Sequence, residues 1–167
     1  VREQLDQIAH GAHTLVKLKY RYLFAILKEL RHEGIVFERV SSLTGTGKRW
    51  VASYFQDTIY PVLTPMAVDA GHPFPFLGNR TLNLAVDILR KKGEKATAVV
   101  QVPSVLPRLV EVETDTGSRT FVFLEDIIMN YMGELFQGCD IGEILPFRIT
   151  RNSDLFFAEE AAEDLLQ

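Results

Sequence analysis

The apolar pattern of this chain switches from a helical period to a period of two, and that switch limits its architecture more than any other feature. Up to about Arg31 the apolar residues recur at helical spacing: Leu5, Ile8, Ala12 and Leu15, then Leu23, Ile26, Leu27 and Leu30, with Lys and Glu on the other face. This predicts one long helix. Gly11 costs on the order of 1 kcal/mol relative to Ala in a helix interior, so it marks where the element would instead break into a helical hairpin. Gly34 is the expected left-handed cap, with Ile35 beyond it placed to contact the last turn. A loop over 41–47 precedes a second helix, which Trp50, Val51, Tyr54, Phe55 and Ile59 predict over 48–59, ending near Pro61.

Four of the seven prolines (Pro61, Pro65, Pro73 and Pro75) fall between the two regimes, among aromatic and branched residues. Proline presets φ and removes a donor, so 61–76 is expected to be an ordered, extended connection with little regular hydrogen bonding. Beyond it the period is two. Residues 82–89, 96–102, 109–112 and 120–124 read as neighbouring, antiparallel strands, separated by Lys92-Gly93, Pro103 with Pro107, and Asp115-Thr116-Gly117. Helical spacing returns over 124–136, a strand is expected over 147–157, and an acidic helix over 158–166. The fold class is therefore α+β: a long N-terminal helix or helical hairpin, then a mainly antiparallel sheet with packed helices. No internal repeat is visible. The organisation expected is a helical part over 1–40 and an α+β part over 41–167.

Composition narrows the function. The 167 residues are 47% hydrophobic and 24% charged, which is globular, and a chain of this length buries roughly 70% of its unfolded surface. Eighteen Lys and Arg against twenty-two Asp and Glu leave a net charge of -4, so any polyanion site must be local and the chain as a whole is no nucleic-acid binder. Cys139 is the only cysteine, which excludes an internal disulfide or a multi-thiolate zinc site and fits a reducing compartment. No apolar run approaches the ~18 residues of a membrane span, and Val1-Arg2-Glu3-Gln4 has neither an initiator Met nor a signal-type core. The chain reads as cytoplasmic and as cut from something longer.

No catalytic constellation emerges. Thr44-Gly45-Thr46-Gly47-Lys48-Arg49 invites a phosphate-loop reading, but the first motif glycine would fall at Ser42, the Mg-binding Ser/Thr would be Arg49, and no hydrophobic strand runs into the turn. His10 and His13 are three apart on a helix and lack a third ligand. His32 suits a helix C-terminus, His72 a proline-rich turn, and Cys139 has no histidine nearby in sequence. Two basic groups remain: Arg90-Lys91-Lys92 with Lys95 at a hairpin tip, and Arg148 with Arg151. Residues three apart on a regular strand face opposite sides, so Arg148 and Arg151 share one anion site only if a bulge or bend re-aims one of them.

Several strings together resemble the bacterial polyphosphate kinase family. They are Tyr54-Phe55 with Ile59, Pro61-Val62-Leu63-Thr64-Pro65-Met66-Ala67-Val68-Asp69, His72-Pro73-Phe74-Pro75-Phe76-Leu77 and Leu82-Asn83-Leu84-Ala85-Val86. In the same order follow Val100-Gln101-Val102-Pro103-Ser104-Val105-Leu106-Pro107-Arg108, Phe123-Leu124-Glu125-Asp126-Ile127-Ile128, Phe136-Gln137-Gly138 and Phe147-Arg148-Ile149-Thr150-Arg151-Asn152-Ser153-Asp154-Leu155. The resemblance covers nearly the whole chain, with residues 1–37 similar to the end of the family's N-terminal helical domain and the rest to its head domain.

The resemblance implies a parent enzyme, oligomeric and cytoplasmic, with peripheral membrane association open to the parent complex. That parent reversibly moves the terminal phosphate of ATP onto inorganic polyphosphate, with Mg and a phosphohistidine. The family's reactive histidines and Mg-holding arginines lie in C-terminal domains expected beyond Gln167, and its adenine-contacting asparagine is expected before Val1. None of the four histidines here matches the phosphorylated position. The implied piece is therefore non-catalytic, with no cofactor of its own and with the missing C-terminal domains, a second subunit and polyphosphate as partners. Its implied role is to pair subunits and shape the tunnel that polyphosphate threads, with Arg148 and Arg151 as candidates for the tunnel wall. A free-standing protein-interaction module is the alternative, and a small nucleotide-binding enzyme built on Gly45 to Lys48 ranks behind both.

Overall fold

A computed structural model describes residues 2–68, 74–90 and 95–150. The first element is α1 (Arg2–His32), one continuous helix with no break at Gly11. None of its residues is buried. Leu5, Ile8, Leu15, Phe24 and Ile26 are each more than half exposed although their spacing makes an apolar face. Gly34 ends the helix at φ +77°, the left-handed cap its sequence predicts, and its carbonyl accepts a hydrogen bond from the Arg119 N–H at 2.9 Å.

That bond starts a strand that the period analysis missed. β1 (Ile35–Phe37) runs parallel to β6 (Arg119–Phe123), which pairs antiparallel with β5 (Leu109–Val112) to make a three-stranded sheet in the order β1-β6-β5. Phe37 stacks on Phe121 across this pair, centroids 5.8 Å apart. After a short 3-10 turn (Val40–Ser42), whose Val40 N–H is held by Asp126 Oδ2 at 2.7 Å, comes α2 (Gly45–Tyr54). Its last turns widen into a π turn (Phe55–Ile59) and tighten into a 3-10 turn (Tyr60–Val62). Pro61 lacks the N–H that an α-turn would aim at the Asp57 carbonyl, so the helix loses its regular ladder there.

The proline-rich connection is more regular than expected. Pro65–Val68 forms β2, hydrogen-bonded antiparallel to β4 (Lys95–Gln101), because a proline is tolerated at the first residue of an edge strand. The second sheet has the order β2-β4-β3-β7, with β3 (Leu82–Arg90) at its centre. β7 (Cys139–Arg148) overlaps the start of the strand expected over 147–157 and begins well before it, and residues 151–157 of that expectation lie outside the described residues. Gly142 and Pro146 hide it from a period-two reading: Gly142 sits where a Cβ would come within 3.1 Å of Asp87 Cβ, beside a register shift between Val86 and Ile88, and Pro146 is tolerated because β7 is an edge strand. The helix expected over 124–136 is two short ones, α3 (Leu124–Asn130) and α4 (Met132–Leu135), divided at Tyr131. The acidic helix expected over 158–166 lies outside the described residues.

One core joins the two sheets and the helices after α1. Leu84, Val86, Ala98 and Val100 of the four-stranded sheet meet Val51, Phe55 and Ile59 of the second helical segment, Val110, Val112 and Val122 of the smaller sheet, and Leu124, Ile127 and Ile128 of α3. Phe55 stacks on Tyr131 at 4.7 Å between centroids. Leu77, Val99 and Asn83 are buried outside that cluster. Asn83 and Val99 occupy the sheet's other face, where Phe74 leans on Phe147 at 6.4 Å and residues 74–80 run beside β7.

Candidate functional site

Of the two arginines named from the sequence, Arg151 lies outside the described residues and Arg148 is the last residue of β7, opposite Leu82 of β3. Leu82 packs against the core, so Arg148 stands on the core-facing side of the sheet, at the end where the ladder stops. Its Nη1 donates to the carbonyl of Arg80. Arg80 is the one described non-glycine residue with positive φ, at 61°, a conformation that L side chains adopt at a cost. Its turn is tied down from both sides. The Arg80 N–H donates to Ile149 O at 2.8 Å, the Thr81 hydroxyl donates to Gly78 O at 2.8 Å, and the Asn83 Nδ2 donates to Thr81 O at 2.9 Å.

Arg108 joins the same place from another direction. Its carbonyl accepts from the N–H of Leu124 at 2.8 Å, which fixes the start of α3 against the start of β5. Its side chain grips Glu125 through Nε and Nη2, the closer contact being 2.6 Å. The Glu125 carboxylate raises the Arg108 guanidinium further above its already high range. Together Arg80, Arg108 and Arg148, with Ser104, Leu106 and Leu124, bound a recess of about 490 Å³ whose lining among the described residues includes no carboxylate. Among the described residues the ion pairs leave Arg80 and Arg148 without an acidic partner.

Arg80 and Arg108 carry no signal of their own in the sequence. Each reads as a single arginine in a turn, and only the pairing of β3 with β7 and the Leu124–Arg108 bond bring them to one recess. Asn83 was also missed. It is fully buried, and its Oδ1 has no hydrogen-bond partner while its Nδ2 holds the Arg80 turn.

The other candidates stay apart. The start of α2 is taken up by an acidic side chain: Thr46 Oγ1 donates to Asp115 Oδ1 at 3.0 Å, and a Cβ on Gly45 would lie 3.5 Å from Asp115 Oδ2. A carboxylate at a helix N-terminus already satisfies the partial positive charge that a phosphate would seek. His10, His13 and His32 are exposed on α1, and His72 lies outside the described residues. Among the described residues no group of three or more His, Cys, Asp or Glu could hold a metal ion. Of the hairpin cluster, Lys91 and Lys92 lie outside the described residues between β3 and β4. No helix among the described residues is long and apolar enough to cross a membrane.

The class thus defined is an α+β body of two sheets around one core, with a helical arm at its N-terminus and a basic recess at one end. A family model described as the polyphosphate kinase middle domain matches residues 46–167. The chain belongs to the polyphosphate kinase family. It is 42% identical over 168 residues to a polyphosphate kinase of Exiguobacterium sp. strain AT1b, covering 99% of this chain and 23% of that protein. It is 43% identical to the polyphosphate kinase of Halalkalibacterium halodurans, covering 99% of this chain and 24% of that one. The crystal structure of polyphosphate kinase from Porphyromonas gingivalis superposes with a TM-score of 0.75 at 27% identity, over 83% of this chain and 22% of that chain. The chain spans about a quarter of the length of the curated relatives it matches.

Proposed function

We propose that this chain is a non-catalytic portion of a polyphosphate kinase, an enzyme that reversibly transfers the terminal phosphate of ATP to inorganic polyphosphate. Within that parent it pairs subunits and shapes the tunnel the polyphosphate passes through, with Arg148 and Arg151 on the wall. The reactive histidine, the Mg site and the adenine contact belong to other parts of the parent, which acts in the cytoplasm as a homo-oligomer. The observation that carries this reading is the match along 99% of this chain to only 23% of a polyphosphate kinase. Phosphoryl transfer relies on positioning and charge neutralisation around a nucleophile and its metal, which this reading assigns to those other parts of the parent.

An exchange experiment tests it. The segment of the Exiguobacterium polyphosphate kinase that matches this chain is replaced by this chain, and ATP-dependent polyphosphate synthesis is measured. A folded exchange protein within about tenfold of the parent's rate, a loss of 1.4 kcal/mol or less in barrier, is the expected result. A folded, oligomeric exchange protein with no synthesis contradicts the assignment.

A further inference from the structure

We propose that α1 pairs antiparallel with the α1 of a second copy of this chain, face to face along its apolar stripe. The inference rests on this chain's own residues and not on the family reading above. Leu5, Ile8, Leu15, Leu23 and Ile26 lie on one side of α1 at helical spacing, and each is more than two-fifths exposed. A helix draws most of its stability from packing such a face, yet none of the 31 residues of α1 is buried.

Charge selects both the occupant and its direction. Asp6 near one end of α1 and Lys28 and Arg31 near the other fall within about 60° of one another around the helix, on the same edge of the stripe. In a two-fold antiparallel pair each edge meets the same edge of the partner. Asp6 then lies between the partner's Lys28 and the partner's Arg31, twice over by symmetry, when the numbers of contacting residues sum to about 35. That register also sets Leu5 against the partner's Leu30, Ile8 against the partner's Leu27 and Ala12 against the partner's Leu23. A parallel pair would set Asp6 against the partner's Asp6 and Lys28 against the partner's Lys28.

Gly11 points the same way independently. Glycine weakens a helix interior relative to alanine, and a Cβ at Gly11 would meet nothing within 4 Å, so no contact within the described residues calls for it. Gly11 and Tyr22 are close to three turns apart and share the stripe's other edge. In the antiparallel register the exposed ring of the partner's Tyr22 comes beside Gly11, where a side chain would stand in its way. Lys19 is the one charge inside the stripe, opposite the partner's Val16. Its ammonium lies 4.6 Å from the centre of the Tyr20 ring; a lone charge of this kind fixes register at a cost in affinity. Gly34, where the body begins, falls level with the partner's first turn. With 31 residues at about 1.5 Å each, the two bodies therefore stand at opposite ends, roughly 46 Å apart. The contact is one helix wide, so a micromolar dissociation constant is expected, and near that concentration pairing adds little to the folding stability of either chain. The readout is therefore mass and not melting.

Sedimentation equilibrium of the 167-residue chain is the test, run from about 0.1 to about 200 µM at low salt. Monomer at the low end and dimer at the high end is the expected result. Leu15→Glu and Leu23→Glu, both at exposed positions, each weaken the dimer by about tenfold or more, with circular dichroism showing that the variants remain folded. Asp6→Lys weakens it by about tenfold, because two symmetry-related contacts turn from attraction to repulsion, and adding Lys28→Asp restores it to within about threefold. Gly11→Leu weakens it by about tenfold although leucine is the better helix former. A chain that stays monomeric to about 200 µM, its α1 then covered from within the chain or by another partner, overturns the proposal. So does a dimer that folded Leu15→Glu protein keeps within about twofold, or one that the double charge reversal fails to restore. The exchange experiment reads synthesis and this one reads mass, so each can fail alone.

Discussion

At the scale of single residues, three positions carry consequences that can be measured. Gly34 sits at φ +77° with open space around its missing Cβ, so Gly34→Ala meets no clash and pays only the left-handed strain. A loss of about 1–2 kcal/mol in urea-derived stability is expected; an unchanged midpoint would show that the cap relaxes. Tyr131, stacked on Phe55, has its phenol pushed above the ordinary 10.0, first by burial and then by the Glu134 carboxylate. The folded phenol therefore keeps its proton to higher pH than the unfolded one. Its contribution is complete below the unfolded value of 10.0 and is lost as pH rises through the folded value. Tyr131→Phe should flatten the decline of stability above pH 10, and a variant that declines as steeply as the wild type refutes the assignment. The cap at Gly34 was legible in the sequence because only local chain direction was at stake. Arg80, Arg108 and Asn83 were not, because each acts through a neighbour that strand pairing alone supplies.

At the scale of elements, strong periodicity was read correctly, and three edge strands, β1, β2 and β7, were not. α1, α2, β3, β4, β5 and β6 follow from their spacing; all but α1 turn apolar side chains into the core, and α1 keeps its apolar face exposed. β1 is three residues long and makes a parallel pair with a segment more than eighty positions away, which no local pattern records. β2 and β7 are edge strands, where proline is permitted and alternation is broken by a bulge, so the rules that mark central strands mislead. Two contrasting substitutions test this division. Phe55 is fully buried in the π turn between the two sheets, and Phe55→Ala should cost about 3–5 kcal/mol. Ile8 on α1 is 68% exposed, so Ile8→Lys should move the thermal midpoint by no more than about 2 °C, within the ±0.5 kcal/mol usual for surface positions. A large loss from Ile8→Lys would mean that α1 packs in solution on something it does not touch in this structure.

At the scale of the whole molecule, the fold supplies one connected core, an arm whose apolar side chains lie open, and a basic recess at the end of the larger sheet. Among the described residues, the strings behind the resemblance to polyphosphate kinases include β2, the first half of β3, the end of β4 with the turn before β5, the start of α3 and the end of β7. What the sequence could not supply was the convergence of three arginines, since charge at a point depends on tertiary distance and not on spacing along the chain. The central claim is that the phosphoryl-transfer machinery lies elsewhere in the parent enzyme. The direct measurement is polyphosphate formation by the purified chain supplied with ATP and Mg. No product above a protein-free blank is expected, whereas protein-dependent growth of polyphosphate, with turnover, would contradict the account.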